Sequence, residues 1–133
     1  MSKEIYKKLF KIHKRIKNPE KGTQGYGYLY SNLEQILEVI NPEIEKENIL
    51  LLQFPIRDND YIGVKTKLVD LDSEQEIEFV FSTLPPKPDC QASGSLITYF
   101  RKFSLLSIFR LSPVDKDGAE TLTNSKSANV GSL

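Results

Sequence analysis

Ile5, Leu9, Ile12 and Ile16 recur at spacings of three and four, which is one face of a helix. The spacing predicts a helix over 3–17, ended by Asn18-Pro19. From Gly22 to Tyr30, glycines alternate with tyrosines, and this predicts a loop leading into a short extended segment. Ser31-Asn32-Leu33-Glu34 has the form of a capping box, with Glu34 reaching back to the exposed amides. Leu33, Ile36, Leu37, Ile40 and Ile44 then mark a second amphipathic helix, which Pro42 is placed to break or kink.

The period then changes from helical to extended. Ile49 to Ile56 is an apolar run the length of a buried strand. A turn cluster, Arg57-Asp58-Asn59-Asp60, separates it from Tyr61 to Leu71. There Ile62, Val64, Thr66 and Leu68 share one parity, and Lys65 and Lys67 take the other. A second turn cluster runs from Asp70 to Glu74. After it, Ile77, Phe79 and Phe81 alternate with Glu76, Glu78 and Val80. Three strands with short turns predict an antiparallel meander. Pro85-Pro86-Lys87-Pro88 cannot join a sheet.

Ala92 to Leu111 is the longest helical stretch. On a wheel, Leu96, Tyr99, Phe100, Phe103 and Leu106 form a core face, with Thr98, Arg101 and Lys102 opposite. Leu105 and Phe109 fall toward the basic side, where they mark a subunit contact unless this chain covers them. The expected fold class is α+β: a three-stranded antiparallel β-meander packed against a long C-terminal helix, with two N-terminal helices. The expected organisation is one domain over 1–118 and a polar, disordered tail over 119–133.

Composition narrows the chemistry. The 133 residues carry 18 basic and 18 acidic side chains, so net charge is zero, and the chain is not uniformly basic. The charge is polarised, however: residues 1–22 hold Lys3, Lys7, Lys8, Lys11, Lys14, Arg15, Lys17 and Lys21 against Glu4 and Glu20. Such a segment steers a polyanion or is a solvated helix face, and charge alone favours the solvated face. A single cysteine, no signal peptide and no membrane-length apolar run point to the cytoplasm.

Catalytic constellations are missing. His13 and Cys90 are the only residues of their types. Nothing in the sequence pairs them, and both read as passive surface groups. The chain lacks the four Cys or His ligands of a zinc site and a phosphate-binding P-loop, so no metal, no cofactor and no enzymatic activity are expected. Asp115-Lys116-Asp117-Gly118 reads as a turn. What remains is a binding surface: Lys65 and Lys67 on a strand, Arg101 and Lys102 on a helix, and Tyr26, Tyr28 and Tyr30 as faces on which unpaired bases stack. Each tyrosine reads equally well as core.

The segment Gln91-Ala92-Ser93-Gly94-Ser95-Leu96-Ile97-Thr98-Tyr99-Phe100-Arg101-Lys102-Phe103-Ser104-Leu105, followed by Asp115-Lys116-Asp117-Gly118, resembles the ERF (essential recombination function) family. Tyr28-Leu29-Tyr30-Ser31 resembles the Tyr-rich lead into that family's first helix. The resemblance implies a phage or prophage recombination protein that binds single-stranded DNA and anneals complementary strands without ATP. It also implies a homo-oligomer, ring or filament, and partners such as a phage exonuclease or a host single-strand-binding protein. It places Thr98, Tyr99, Arg101 and Lys102 at motif positions. Arg101 and Lys102 would touch phosphate, Thr98 would hydrogen-bond DNA or a neighbouring backbone, and Tyr99 would be structural. The chain departs from the pattern at Lys102 and Phe103, where the family has arginine and tyrosine, and at Phe109-Arg110, where a glycine precedes isoleucine. These departures and the zero net charge motivate the alternative of a non-annealing scaffold or accessory protein that retains the fold.

Overall fold

The computed structural model describes residues 3–19, 23–25, 28–30, 32–85 and 89–112. The element order is α1 (Glu4–Arg15), β1 (Thr23–Gly25), β2 (Tyr28–Tyr30), α2 (Leu33–Lys46), β3 (Ile49–Asp58), β4 (Tyr61–Asp70), β5 (Glu76–Thr83) and α3 (Cys90–Phe109). Tyr26, residues 86–88, the turn expected at 115–118 and the tail expected over 119–133 lie outside the described residues.

Residues β3, β4 and β5 form an antiparallel sheet in that order, the expected meander. The register pairs Leu51 with Leu68 and Leu68 with Ile77, so the apolar parities of the three strands share one face. Val64, Thr66 and Leu68 are buried there, under α3. The short extended segment expected before the second helix is β2, and it pairs antiparallel with β1 in a second small sheet, with Gln24 opposite Leu29.

Asn32 is the N-cap of α2, with Gln35 at the third helical position. The Asn32 side chain accepts from the Gln35 amide, and the Gln35 side chain accepts from the Asn32 amide, both at 2.9 Å. This is the expected capping box moved by one residue, because Asn32 and not Ser31 takes the cap and Gln35 supplies the returning oxygen. Pro42 does not break the helix, which continues to Lys46. Ile36, Ile40 and Ile44 bury one face along its whole length, and tertiary packing outweighs the one amide that Pro42 lacks.

The long helix departs most from the wheel. Leu105 and Phe109 are fully buried in the same cluster as Ile5, Leu9 and Ile12 of α1 and Ile36 and Ile40 of α2. They are therefore covered by this chain and do not form a subunit contact. Tyr99, expected in the core, is 51% exposed. A single two-faced wheel fails because the two halves of α3 have different neighbours. The N-terminal half lies on the sheet, where Phe100 stacks on Phe81 with centroids 4.8 Å apart. The C-terminal half is enclosed by α1 and α2 as well, so besides Leu106 it buries Leu105 and Phe109 on the side turned away from Phe100.

Candidate nucleic-acid interface

The motif residues occupy one stretch of α3, but successive helical residues point about 100° apart. Thr98 is exposed, and Tyr99 and Lys102 follow it around the same outward side. Tyr99 packs on Phe103, with ring centroids 4.4 Å apart. The Lys102 Nζ lies 5.9 Å from the Phe103 ring, and partial burial lowers its pKa from the ordinary lysine value. Desolvation is the cause, and it leaves an ammonium more weakly hydrated than a fully exposed one. Thr98, Tyr99 and Lys102 together give a hydroxyl, an aromatic face and a cation on one open surface.

Arg101 turns elsewhere. Its Nε donates to Gln53 Oε1 on β3 at 3.4 Å, while Gln53 Nε2 donates to the Arg101 carbonyl at 3.1 Å and to Thr66 Oγ1 at 3.0 Å. Arg101 therefore sits at a cleft of about 470 Å³ between α2, β3 and α3, bordered by Asn41, Glu45 and Gln53. An adjoining depression adds Glu34 and Glu38. The acidic rim works against a phosphate there and favours a guanidinium that holds α3 to the sheet. Gln53 was not singled out in the sequence. Its only signal is that it is the one polar residue in the apolar run from Ile49 to Phe54.

Lys65 and Lys67 are not brought to α3. Their parity is opposite to that of Thr66, so they emerge on the far face of the sheet. Across from them, Glu76 and Glu78 of β5 take up their charge. Lys67 Nζ lies 3.4 Å from Glu76 and 3.8 Å from Glu78, and Lys65 Nζ lies 3.9 Å from Glu78. The backbones of Tyr28 and Tyr30 form β2, and their side chains lie outside the described residues.

The basic first helix is divided by function. Lys8 and Arg15 face inward and dock it. Lys8 reaches Asp70 and Asp72, both at 2.6 Å, and Arg15 holds Glu43 and, at 2.9 Å, Glu47. The Glu43 carboxyl is held below its usual pKa, chiefly by the hydrogen bond from Arg15. His13 is half-buried rather than a free surface group, with Nε2 2.7 Å from the Ile108 carbonyl of α3. Cys90 is exposed and opens α3, whose N-cap is Asp89.

The family model of the ERF superfamily matches residues 5–132. The chain belongs to the ERF superfamily. Membership places it among phage-type proteins of single-strand DNA annealing and recombination. No curated protein and no solved structure matches the chain. The ERF match runs through the described fold and across residues 115–118 into most of the polar C-terminal stretch. Among the described residues of this ERF protein, no three His, Cys, Asp or Glu side chains are grouped to hold a metal ion. No described helix is long and apolar enough to cross a membrane.

Proposed function

We propose that this ERF protein binds single-stranded DNA and anneals complementary strands without ATP during phage or plasmid recombination. The observation that carries this reading is the open surface of Thr98, Tyr99 and Lys102 on the motif helix. Single-strand binding without sequence preference needs cations for the backbone and π-faces for the bases, and this surface supplies both. Lys102 meets phosphate and Thr98 donates a hydrogen bond beside it. Tyr99 presents its ring to a base, and Arg101 positions the helix through Gln53. No P-loop occurs in the sequence, which supports pairing driven by the strands themselves. The protein works as a binder in a homo-oligomer, and its chemistry needs no cofactor.

The test is anisotropy of labelled oligonucleotides, single-stranded and duplex, over a salt series, followed by a strand-pairing assay without nucleotide. Tighter single-strand binding that weakens with salt, together with ATP-free pairing, is expected. Absence of binding at low salt by folded protein would replace this reading with a scaffold that keeps the fold. The acidic rim of α2 around Arg101 is the observation that favours that second reading.

A further inference from the structure

Helix α1 buries Ile5, Leu9 and Ile12 and leaves two large aromatic residues outside. Tyr6 and Phe10 are 52% and 58% exposed. They stand four residues apart, one turn and about 6 Å along the helix, so they share a side. Lysines frame both rings: Lys3 Nζ is 6.0 Å from the Tyr6 centroid, and Lys14 Nζ is 4.6 Å from that of Phe10. Docking of α1 accounts for neither ring, since its apolar face, Lys8 and Arg15 already fix it to the rest of the fold.

The charge around the rings is mostly positive. Glu4 is the only acid of α1, and Lys7 lies 3.4 Å from it. Lys3, Lys11, Lys14 and Lys17 form no ion pair among the described residues. Exposed rings interleaved with uncompensated ammonium groups match an unpaired polynucleotide, in which bases stack on the rings and phosphates meet the lysines. Two copies meeting through this same stripe would set lysine against lysine, which is repulsive.

We propose that the Tyr6–Phe10 stripe of α1 is a base-stacking platform for single-stranded DNA. It is a second contact for the strand beyond the motif surface of α3, and it rests on the single-strand-binding reading above. The two contacts lie on joined elements. His13 of α1 reaches the carbonyl of Ile108, ten residues and about 15 Å along α3 from Thr98.

The chain contains no tryptophan, so Phe10→Trp installs a single fluorescent reporter on the stripe. Titration of full-length Phe10→Trp with oligo(dT) is expected to quench its emission, with an affinity within about twofold of the parent protein. The double variant Tyr6→Ala/Phe10→Ala is expected to bind oligo(dT) roughly tenfold or more weakly. Its melting temperature and gel-filtration volume should be unchanged, because both rings are exposed. Full-affinity binding by the double variant, or saturation of Phe10→Trp without quenching, overturns the proposal and leaves single-strand binding intact. A shift in elution volume with unchanged affinity also overturns it, and assigns the stripe to a second copy of this chain. Failure of the parent protein to bind overturns the single-strand reading itself.

Discussion

Lys8 Nζ donates to Asp70 Oδ1 at 2.6 Å, and Asp70 is completely buried at the end of β4. Ser73 Oγ donates to the other carboxylate oxygen at 2.7 Å, and the Asp72 amide donates to Oδ1 at 3.1 Å. Burial is the largest single influence on Asp70 and opposes its charge, but these donors together outweigh it and hold its pKa below the ordinary carboxylate value. Lys8 is the mirror case: desolvation opposes its charge, yet hydrogen bonds to Asp70 and Asp72 raise its pKa. The charge on Asp70 stabilises the fold above an unfolded pKa of about 3.9, and this is lost as pH falls through the lower folded value. The charge on Lys8 stabilises the fold below about 10.4, and this is lost as pH rises through the higher folded value. Stability should therefore be level between roughly pH 4 and pH 10 as far as this pair is concerned. Lys8→Met should cost about 3 kcal/mol at neutral pH, because a buried carboxylate loses its cation. Urea unfolding measures it, and a loss under 1 kcal/mol would show that Ser73 and Asp72 suffice.

Arg110 closes α3 with φ 58° and ψ 44°, in the left-handed region. A side chain is strained there and glycine is not. Arg110→Gly should stabilise the protein by about 1 kcal/mol and raise the thermal midpoint. An unchanged or lower midpoint would mean that the arginine side chain compensates for its backbone.

Gly63 pairs with Ser82 in the β4–β5 ladder. A Cβ at position 63 would lie 2.1 Å from the Phe81 carbonyl oxygen, which is backbone and cannot swing aside. Gly63→Ala should therefore destabilise the fold by about 2 kcal/mol or more, read by thermal or urea denaturation. A silent substitution would show that the two strands part locally at no cost.

The lysines and the arginine of the expected site should separate in a binding assay. Lys102→Ala should lower single-strand affinity on all sequences alike and reduce the salt slope by about one. Arg101→Ala should do less to the slope, since its guanidinium faces Gln53 and the acidic rim of α2. Lys67→Gln should change binding least, because Glu76 and Glu78 already neutralise that face. Removing those acids in Glu76→Gln/Glu78→Gln should raise nonspecific affinity. Equal losses for Lys67→Gln and Lys102→Ala would contradict the assignment.

Period and parity carried the architecture. The alternation from Ile62 to Leu68 and from Ile77 to Phe81 is set by one sheet face and one covering helix, and such a pattern is local. What the sequence did not disclose depends on third partners. Leu105 and Phe109 read as off the core stripe of α3 until α1 and α2 close over them, and Tyr99 reads as core although it stays half exposed beside Phe103. Asp70 sits in a turn cluster that looks solvated, yet it is buried because a lysine 62 residues away reaches it. The same holds for the site. The basic residues were visible by type, but Lys65 and Lys67 are neutralised by a neighbouring strand, which the residues around each lysine do not reveal.

Among the described residues, the long-range hydrogen bonds and ion pairs of α1 are with segments made later. Ile5 bonds to Gln75, Lys8 to Asp70 and Asp72, Arg15 to Glu43 and Glu47, and His13 to Ile108, 95 residues on. A twelve-residue helix is marginal on its own. During synthesis at about 5–20 residues per second, α1 leaves the ribosome and waits roughly 5–20 s before its last docking site has been translated. Through that interval the Ile5, Leu9 and Ile12 face lacks Leu105 and Phe109 of α3, and the basic helix is a partly docked nascent-chain segment. The docking of α1 is complete only once α3 has been made, and a ribosome stalled before Ile108 leaves it without the last of these contacts.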